Sequence, residues 1–277
     1  MVERVIVSRS PESHWRKFEA FVARLSAPEW VFRGHGDSTW KLRPKIGRED
    51  MLGPWEPEAE INLFQDFCRR ARQFEAGVEF NSWDWLALAQ HYGLPTRLLD
   101  WTENPLVAAY FAVEGGAETE ALIAAVRVRD RDYLNLLGNE QTPTSDSRET
   151  YLGSLGTRPS PFEGNTWPPL LNSGVAFLRP LIRASRMVSQ RGVFSIHLKP
   201  NEEWRGFRQG FGSGSFGTGV FGKTEPYPAL PSFPIPSSFK VHFRMRLAGL
   251  GIDASSIMAD LGGLCDALEW RYRRRKV

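Results

Sequence analysis

Two periods of apolar spacing run along this chain, and the switches between them mark its elements. Trp15, Phe18, Val22 and Leu25 recur at helical spacing behind Ser10 and Pro11, a capping hydroxyl followed by a first-turn proline, which predicts an opening helix. Trp30, Val31 and Phe32 then form a short apolar run that stops at Arg33, as a buried strand would. Residues 57 to 75 predict a second amphipathic helix, with Ile61, Phe64, Cys68 and Ala71 on its core face and Arg69 and Arg70 in solvent. A third helix is expected over 83 to 92, capped by Ser82 and ended by Gly93. A fourth follows over 106 to 113, behind the cap Asn104 and Pro105.

Between these helices, residues 98 to 101 read as a short apolar strand, and 121 to 128 as another. Strict alternation over 194 to 198 and over 240 to 245 predicts two more, each with one buried face. Residues 253 to 273 read as one or two closing helices, with Leu261, Leu264, Cys265 and Leu268 turned inward. The regions 138 to 178 and 200 to 238 have no period, and the second combines Phe-Gly-Ser repeats with closely spaced prolines, so it reads as a surface excursion. The pattern predicts a single α+β domain over 1–277, a mixed central sheet flanked by helices, with the strand ending at Arg33 beside the 96–104 turn.

Composition narrows the class. The 277 residues, 42% hydrophobic and 24% charged, suit an ordinary globular chain, and a formal charge of +3 is too small to argue for a polyanion partner. The charge is uneven: residues 270–277 form a basic tail with Trp270 and Tyr272, which suits either a solvated helix end or contact with nucleic acid. Cys68 and Cys265 give neither a disulfide framework nor a metal pair. No apolar run suits a signal peptide or a membrane span, so the expectation is a cytoplasmic protein without membrane contact.

Several chemistries find no support. His14, His35, His91, His197 and His242 are scattered, so no metal is expected, and neither a P-loop, a strand-borne dinucleotide fingerprint nor a serine elbow occurs. What remains is polar chemistry at element ends. Arg33 places a permanent fork of donors at a strand end, with Gly34 and Gly36 beside it and His35 between them. His91, Thr96, Arg97, Asp100, Thr102, Glu103 and Asn104 cluster before a helix N-terminus, and Gln190 comes later. The set suits an anion or nucleotide pocket, and for Arg97 and Asp100 mutual pairing or capping is an equal alternative.

These residues also carry a resemblance. Phe32-Arg33-Gly34 with Trp40, the run over 91 to 112, then Arg186, Gln190, Gly192 and Phe194, and a weaker Gly251-Ile252-Asp253 together resemble the FRG domain, a bacterial family named for its Phe-Arg-Gly motif. Where that family continues toward Phe-Pro-Asp-Leu-Asp-Gly, this chain reads from Met258 to Gly263 without the second aspartate. More distantly, Arg33 and the segment from Thr102 to Phe111 are similar to two motifs of ADP-ribosyltransferases. That resemblance implies NAD as a substrate, with Arg33, Gly34, His35, His91, Thr96, Arg97, Thr102 and Asn104 binding it. The family's later carboxylate is replaced by Gln190, so Glu103 or Asp100 is expected to meet the positive charge that builds on the ribose. The implied setting is a toxin or phage-defence system, as an NAD-consuming transferase or glycohydrolase, or else as a non-catalytic module that reads a nucleotide or nucleic-acid end.

Overall fold

The computed structural model describes residues 10–75, 80–115, 118–134, 161–162, 174–179, 189–206 and 230–273. The protein is α+β, built on a six-stranded open sheet in the order β4-β5-β2-β1-β3-β6 with every paired neighbour antiparallel. Its strands are β1 (Trp30–His35), β2 (Leu98–Thr102), β3 (Ala121–Arg127), β4 (Val175–Leu178), β5 (Gly192–His197) and β6 (Ser232–Ile235). The helices are α1 (Pro11–Arg24), a short α2 (Glu49–Leu52), α3 (Pro57–Ala71), α4 (Ser82–His91), α5 (Pro105–Glu114), α6 (Lys240–Gly249), α7 (Ala254–Met258) and α8 (Leu261–Arg273).

Local chemistry explains the boundaries. Ser10 accepts the amide of Ser13 ahead of Pro11, and Asn104 accepts the amide of Leu106 ahead of Pro105, so both expected caps are present. The cap of α4 is Asn81 rather than Ser82: its side chain accepts from the backbone at Asp84, whose carboxylate returns the bond in a capping box.

Two layers of core form against the sheet. Trp15, Phe18 and Phe21 of α1, the face of α5, and Phe243 and Leu247 of α6 bury Phe32, Ile123, Phe233 and Ile235 on one face. Trp83, Leu86 and Ala87 of α4 cover Leu98, Phe194 and Ile196 on the same face, further along the sheet. The opposite face buries Val31, Leu99, Trp101, Val126 and Phe177 beneath Trp204 and Leu42. Each fully buried aromatic or aliphatic side chain contributes about 1.5–3 kcal/mol, so these clusters dominate the stability.

Several expectations are corrected. Residues 240 to 245 are helical, because Lys240, Phe243 and Leu247 are the buried positions and their spacing is that of a helix. The stretch 232 to 235, expected to lie within a surface excursion, is an edge strand with Phe233 and Ile235 fully buried. Pro234 is compatible with that strand because Phe233 and Ile235 face the ladder to β3, which leaves the proline nitrogen on the open edge. Residues 175 to 178, expected to be irregular, form β4. On α8 the buried residues are Gly263 and Ala267, and Leu261, Leu264, Cys265 and Leu268 face outward, the reverse of the expected orientation. Residues 207–229 of the excursion, 274–277 of the tail and Arg186 lie outside the described residues. No helix among the described residues is long and apolar enough to cross a membrane.

Candidate functional site

The sheet is interrupted at its centre. β1 pairs with β3 over six residues but with β2 at one position only, Phe32 opposite Thr102. Beyond that rung the two strands diverge. The divergence faces a cavity of about 660 Å³, within the range of small-molecule sites. Its walls come from the end of α4 (Gln90 and His91), the turn carrying Tyr92 and Gly93, and Ala108 and Phe111 of α5. The strands add Phe32, Arg33, Gly34, Asp100, Trp101, Thr102, Gly192 and Phe194, and the neighbouring turns add Gly36, Trp40 and Gln190.

Arg33 bridges the gap. The Arg97 carbonyl accepts from the His197 amide on β5, so by strand alternation the Asp100 carbonyl faces β1. A continued ladder would have satisfied that carbonyl from β1. Instead Arg33 Nη1 donates to it at 2.5 Å, while the Asp100 carboxylate lies 3.8 Å from the same nitrogen. Behind it, Arg33 Nε donates to His35 Nε2 at 3.2 Å, which fixes a neutral imidazole with its proton on Nδ1. Burial, reinforced by the charge of Arg33, pushes the His35 pKa down to about 3. Burial also lowers the pKa of Arg33, against the opposing pull of Asp100.

A second set of bonds holds the carboxylate. The Thr96 hydroxyl accepts the Leu98 amide, so its proton goes to Gln90 Oε1 at 2.5 Å, and Gln90 Nε2 then donates to Asp100 Oδ2 at 2.7 Å. The amide of Gln90 is thereby oriented from the backbone outward. Thr96 is buried, whereas the Asp100 side chain is 59% exposed.

The remaining site candidates divide. Gly34 lines the cavity, but its lack of a side chain serves packing: a Cβ there would sit 2.0 Å from the Ala108 carbonyl oxygen of α5. His91 and Gln190 also line it. Thr102 lines it too, yet its hydroxyl donates to the Gln190 carbonyl at 2.6 Å and accepts the Asn104 amide, so it ties β2 to the start of β5. His35 and Thr96 sit behind the cavity as supports for Arg33 and Gln90. Asn104 is the cap of α5. Glu103 is turned away toward Arg179, at 3.4 Å, and Arg179 stacks on Tyr133.

Arg97 stands apart from the cavity. It makes two bonds of 2.7 Å to the Glu60 carboxylate of α3 and stacks 4.9 Å from the Phe162 ring, with both partners of the ion pair buried. It pairs with Glu60, and neither with Asp100 nor with a ligand position. Among the described residues no cluster of His, Cys, Asp and Glu suits a metal ion.

Sequence reasoning missed Gln90, Tyr92 and Phe111 as cavity residues. Gln90 had one available signal, a long polar side chain in the last turn of a helix whose residues from Trp85 to Ala89 are all buried. Trp40 reaches the mouth, 58% exposed, on a turn anchored by Lys240, whose buried ammonium donates to the Gly36 carbonyl at 2.7 Å.

Residues 28–121 match the family model of the FRG domain. No curated protein and no solved structure matches the chain. The matched segment contains Arg33, Gln90, His91, Asp100 and Thr102, and it ends at the first residue of β3. The segment similar to the FRG domain takes in both strands that frame the cavity.

Proposed function

We propose that the cleft between β1 and β2 is a nucleotide pocket and that the protein consumes NAD, as an ADP-ribosyltransferase or glycohydrolase. The observation that carries this reading is the presence of Arg33 and Asp100 in one cleft, a fork of donors beside an oriented carboxylate. Arg33 suits a phosphate, because its guanidinium is preset by His35 and the Asp100 carbonyl before any ligand arrives. Trp40, Tyr92 and Phe111 offer ring faces for a base.

Asp100 takes the role for which Glu103 was the other candidate, since Glu103 is paired with Arg179 away from the cleft. In the hydrolytic reaction the bond between ribose C1′ and the nicotinamide nitrogen breaks, and its electron pair leaves with nicotinamide. Water then adds to C1′ and releases a proton, giving ADP-ribose. A carboxylate near C1′ stabilises the cationic transition state, and Asp100 is the one carboxylate among the described residues of the cleft. Gln190 lines the same cleft and suits a ribose hydroxyl.

The test is calorimetric titration of the full chain with NAD, ADP-ribose, ATP and a short single-stranded oligonucleotide, together with chromatography for released nicotinamide. NAD binding that disappears in Arg33→Ala, with nicotinamide released by the wild type, supports the reading. NAD binding without release reduces it to a recognition module. Oligonucleotide binding alone, falling steeply with salt, overturns it.

A further inference from the structure

Exposed apolar side chains are not spread evenly over this protein. Among the described residues ten large hydrophobic side chains are exposed, and seven of them lie between Val241 and Tyr272, on the C-terminal helices. Scattered singly they would need no explanation, but four of the seven share one helix. The spacing of Leu261, Leu264, Cys265, Leu268 and Tyr272 puts all five on one side of α8, and all five are exposed. The opposite side is already used. Gly263 and Ala267 are buried, Gly263 directly on the backbone of α7, and the Trp270 ring lies 4.7 Å from the Arg244 guanidinium of α6.

The charge along the helix decides what fits that apolar face. The carboxylates Asp260, Asp266 and Glu269 all precede the five cations over 271–276. Glu269 pairs with Arg273 one turn on, which leaves two carboxylates toward one end and four cations toward the other. A parallel copy of α8 would set like charges level with like. An antiparallel copy sets acid against base at both ends and also opposes the two helix dipoles. That arrangement has a two-fold axis, so the surface complements itself. We propose that the outward face of α8 is a homodimer contact, filled by α8 of a second copy running antiparallel, with the axis near the middle of the stripe between Cys265 and Leu268. A single helix pair covers less than the roughly 800 Å² per partner of a standard interface, so the association is concentration-dependent, with a Kd in the micromolar range.

The experiment is sedimentation equilibrium of the full chain from about 1 to 200 µM, with Leu268→Glu run beside it. The wild type is expected to pass from monomer to dimer. In the variant the change enters twice per dimer, and the association weakens at least about tenfold. At the lowest concentration, where the wild type is monomeric, the variant keeps the wild-type melting temperature, which separates lost pairing from lost folding. Orientation is read in protein with both native cysteines replaced by serine. An oxidised mixture of Leu261→Cys and Tyr272→Cys chains should give the mixed cross-linked dimer, whereas Leu261→Cys linked only to its own kind means a parallel pair and overturns the charge argument. A dimer that Leu268→Glu leaves intact overturns the proposed face. A monomer at every concentration overturns the pairing itself, and maleimide labelling of Cys265, read by peptide mass, then tells what takes its place: slow labelling means that another part of this chain covers the stripe, and fast labelling that the stripe is open to a different partner.

Discussion

Arg33 Nη1 donates to the main-chain carbonyl of Asp100 at 2.5 Å, in place of the sheet bond that the divergence of β1 from β2 removes. The side chain is thus a structural tie and a candidate ligand group at once. Arg33→Ala is expected to abolish nucleotide binding, by at least a hundredfold, and to lower the melting temperature because a strand carbonyl loses its donor. Arg33→Lys keeps the charge without the fork, so it should retain part of the stability and little of the affinity. Calorimetry and a thermal melt on both variants check this, and a lysine variant with wild-type affinity would remove the argument from guanidinium geometry.

The other arginine, on the 96–104 turn, behaves differently. Arg97 and Glu60 form a pair that is almost fully buried, whereas the Arg33–Asp100 pair has one exposed member. Glu60→Gln is expected to destabilise the fold by about 3–5 kcal/mol in urea unfolding, since it strands a buried guanidinium. The double variant Glu60→Leu with Arg97→Met should recover most of that loss. Neither change should alter the ratio of NAD to ADP-ribose affinity in protein that remains folded.

Gly34 belongs to the motif for a packing reason. Gly34→Ala places a methyl group 2.0 Å from the Ala108 carbonyl oxygen and 2.7 Å from the Ala112 amide nitrogen, both backbone atoms of α5. The helix must move off β1, and a loss above about 4 kcal/mol is expected. Soluble, wild-type-like unfolding of Gly34→Ala would contradict that close approach.

The caps, the Arg33 strand and its neighbour β2 were legible because each rests on local chemistry: Ser10 and Pro11, Asn104 and Pro105, and an apolar run ending in an arginine. The roles of the two arginines were not, since what separates them is Glu60, far away in sequence on α3. The alternation over 240 to 245 misled because Lys240, which a pattern counts as polar, is buried on a carbonyl and shares a helical face with Phe243 and Leu247. On α8, small residues rather than leucines are buried because α7 packs too closely for anything larger.

That packing gives a further prediction. A Cβ on Gly263 would lie 2.5 Å from the Ala254 carbonyl oxygen and 2.5 Å from the Met258 Cβ. Gly263→Ala should therefore destabilise the protein by about 1–3 kcal/mol. Leu264→Glu, at an exposed position, should stay within about 0.5 kcal/mol of wild type. Thermal melts that ranked the two in the opposite order would turn α8 over.

Acid sensitivity should follow the buried histidines. His197 Nε2 shares a hydrogen bond with the Ser195 hydroxyl, which also accepts from Trp101 Nε1, and burial, with a smaller effect of Arg33, pushes the His197 pKa down to about 3. His35 is lowered to about 3 as well. Unfolded histidine titrates near 6.5, so between these values the unfolded chain takes up protons that the folded chain refuses. The stabilisation is complete above about pH 6.5 and declines as the pH falls toward 3, by up to about 1.4 kcal/mol per pH unit for each histidine. His197→Gln should reduce that slope in urea unfolding followed from pH 4 to 6, and an unchanged slope would exclude His197 as a source of it.

A lone rung between Phe32 and Thr102 makes the sheet two three-stranded leaves joined at one point. The joint is braced on both faces: Val31 and Val126 of one leaf pack with Leu99, Trp101 and Phe177 of the other, and α5, which follows β2, packs on Gly34 of β1. The breadth of the cleft is therefore fixed by packing that the two leaves share, and a guest too wide for the gap would have to shift that common core.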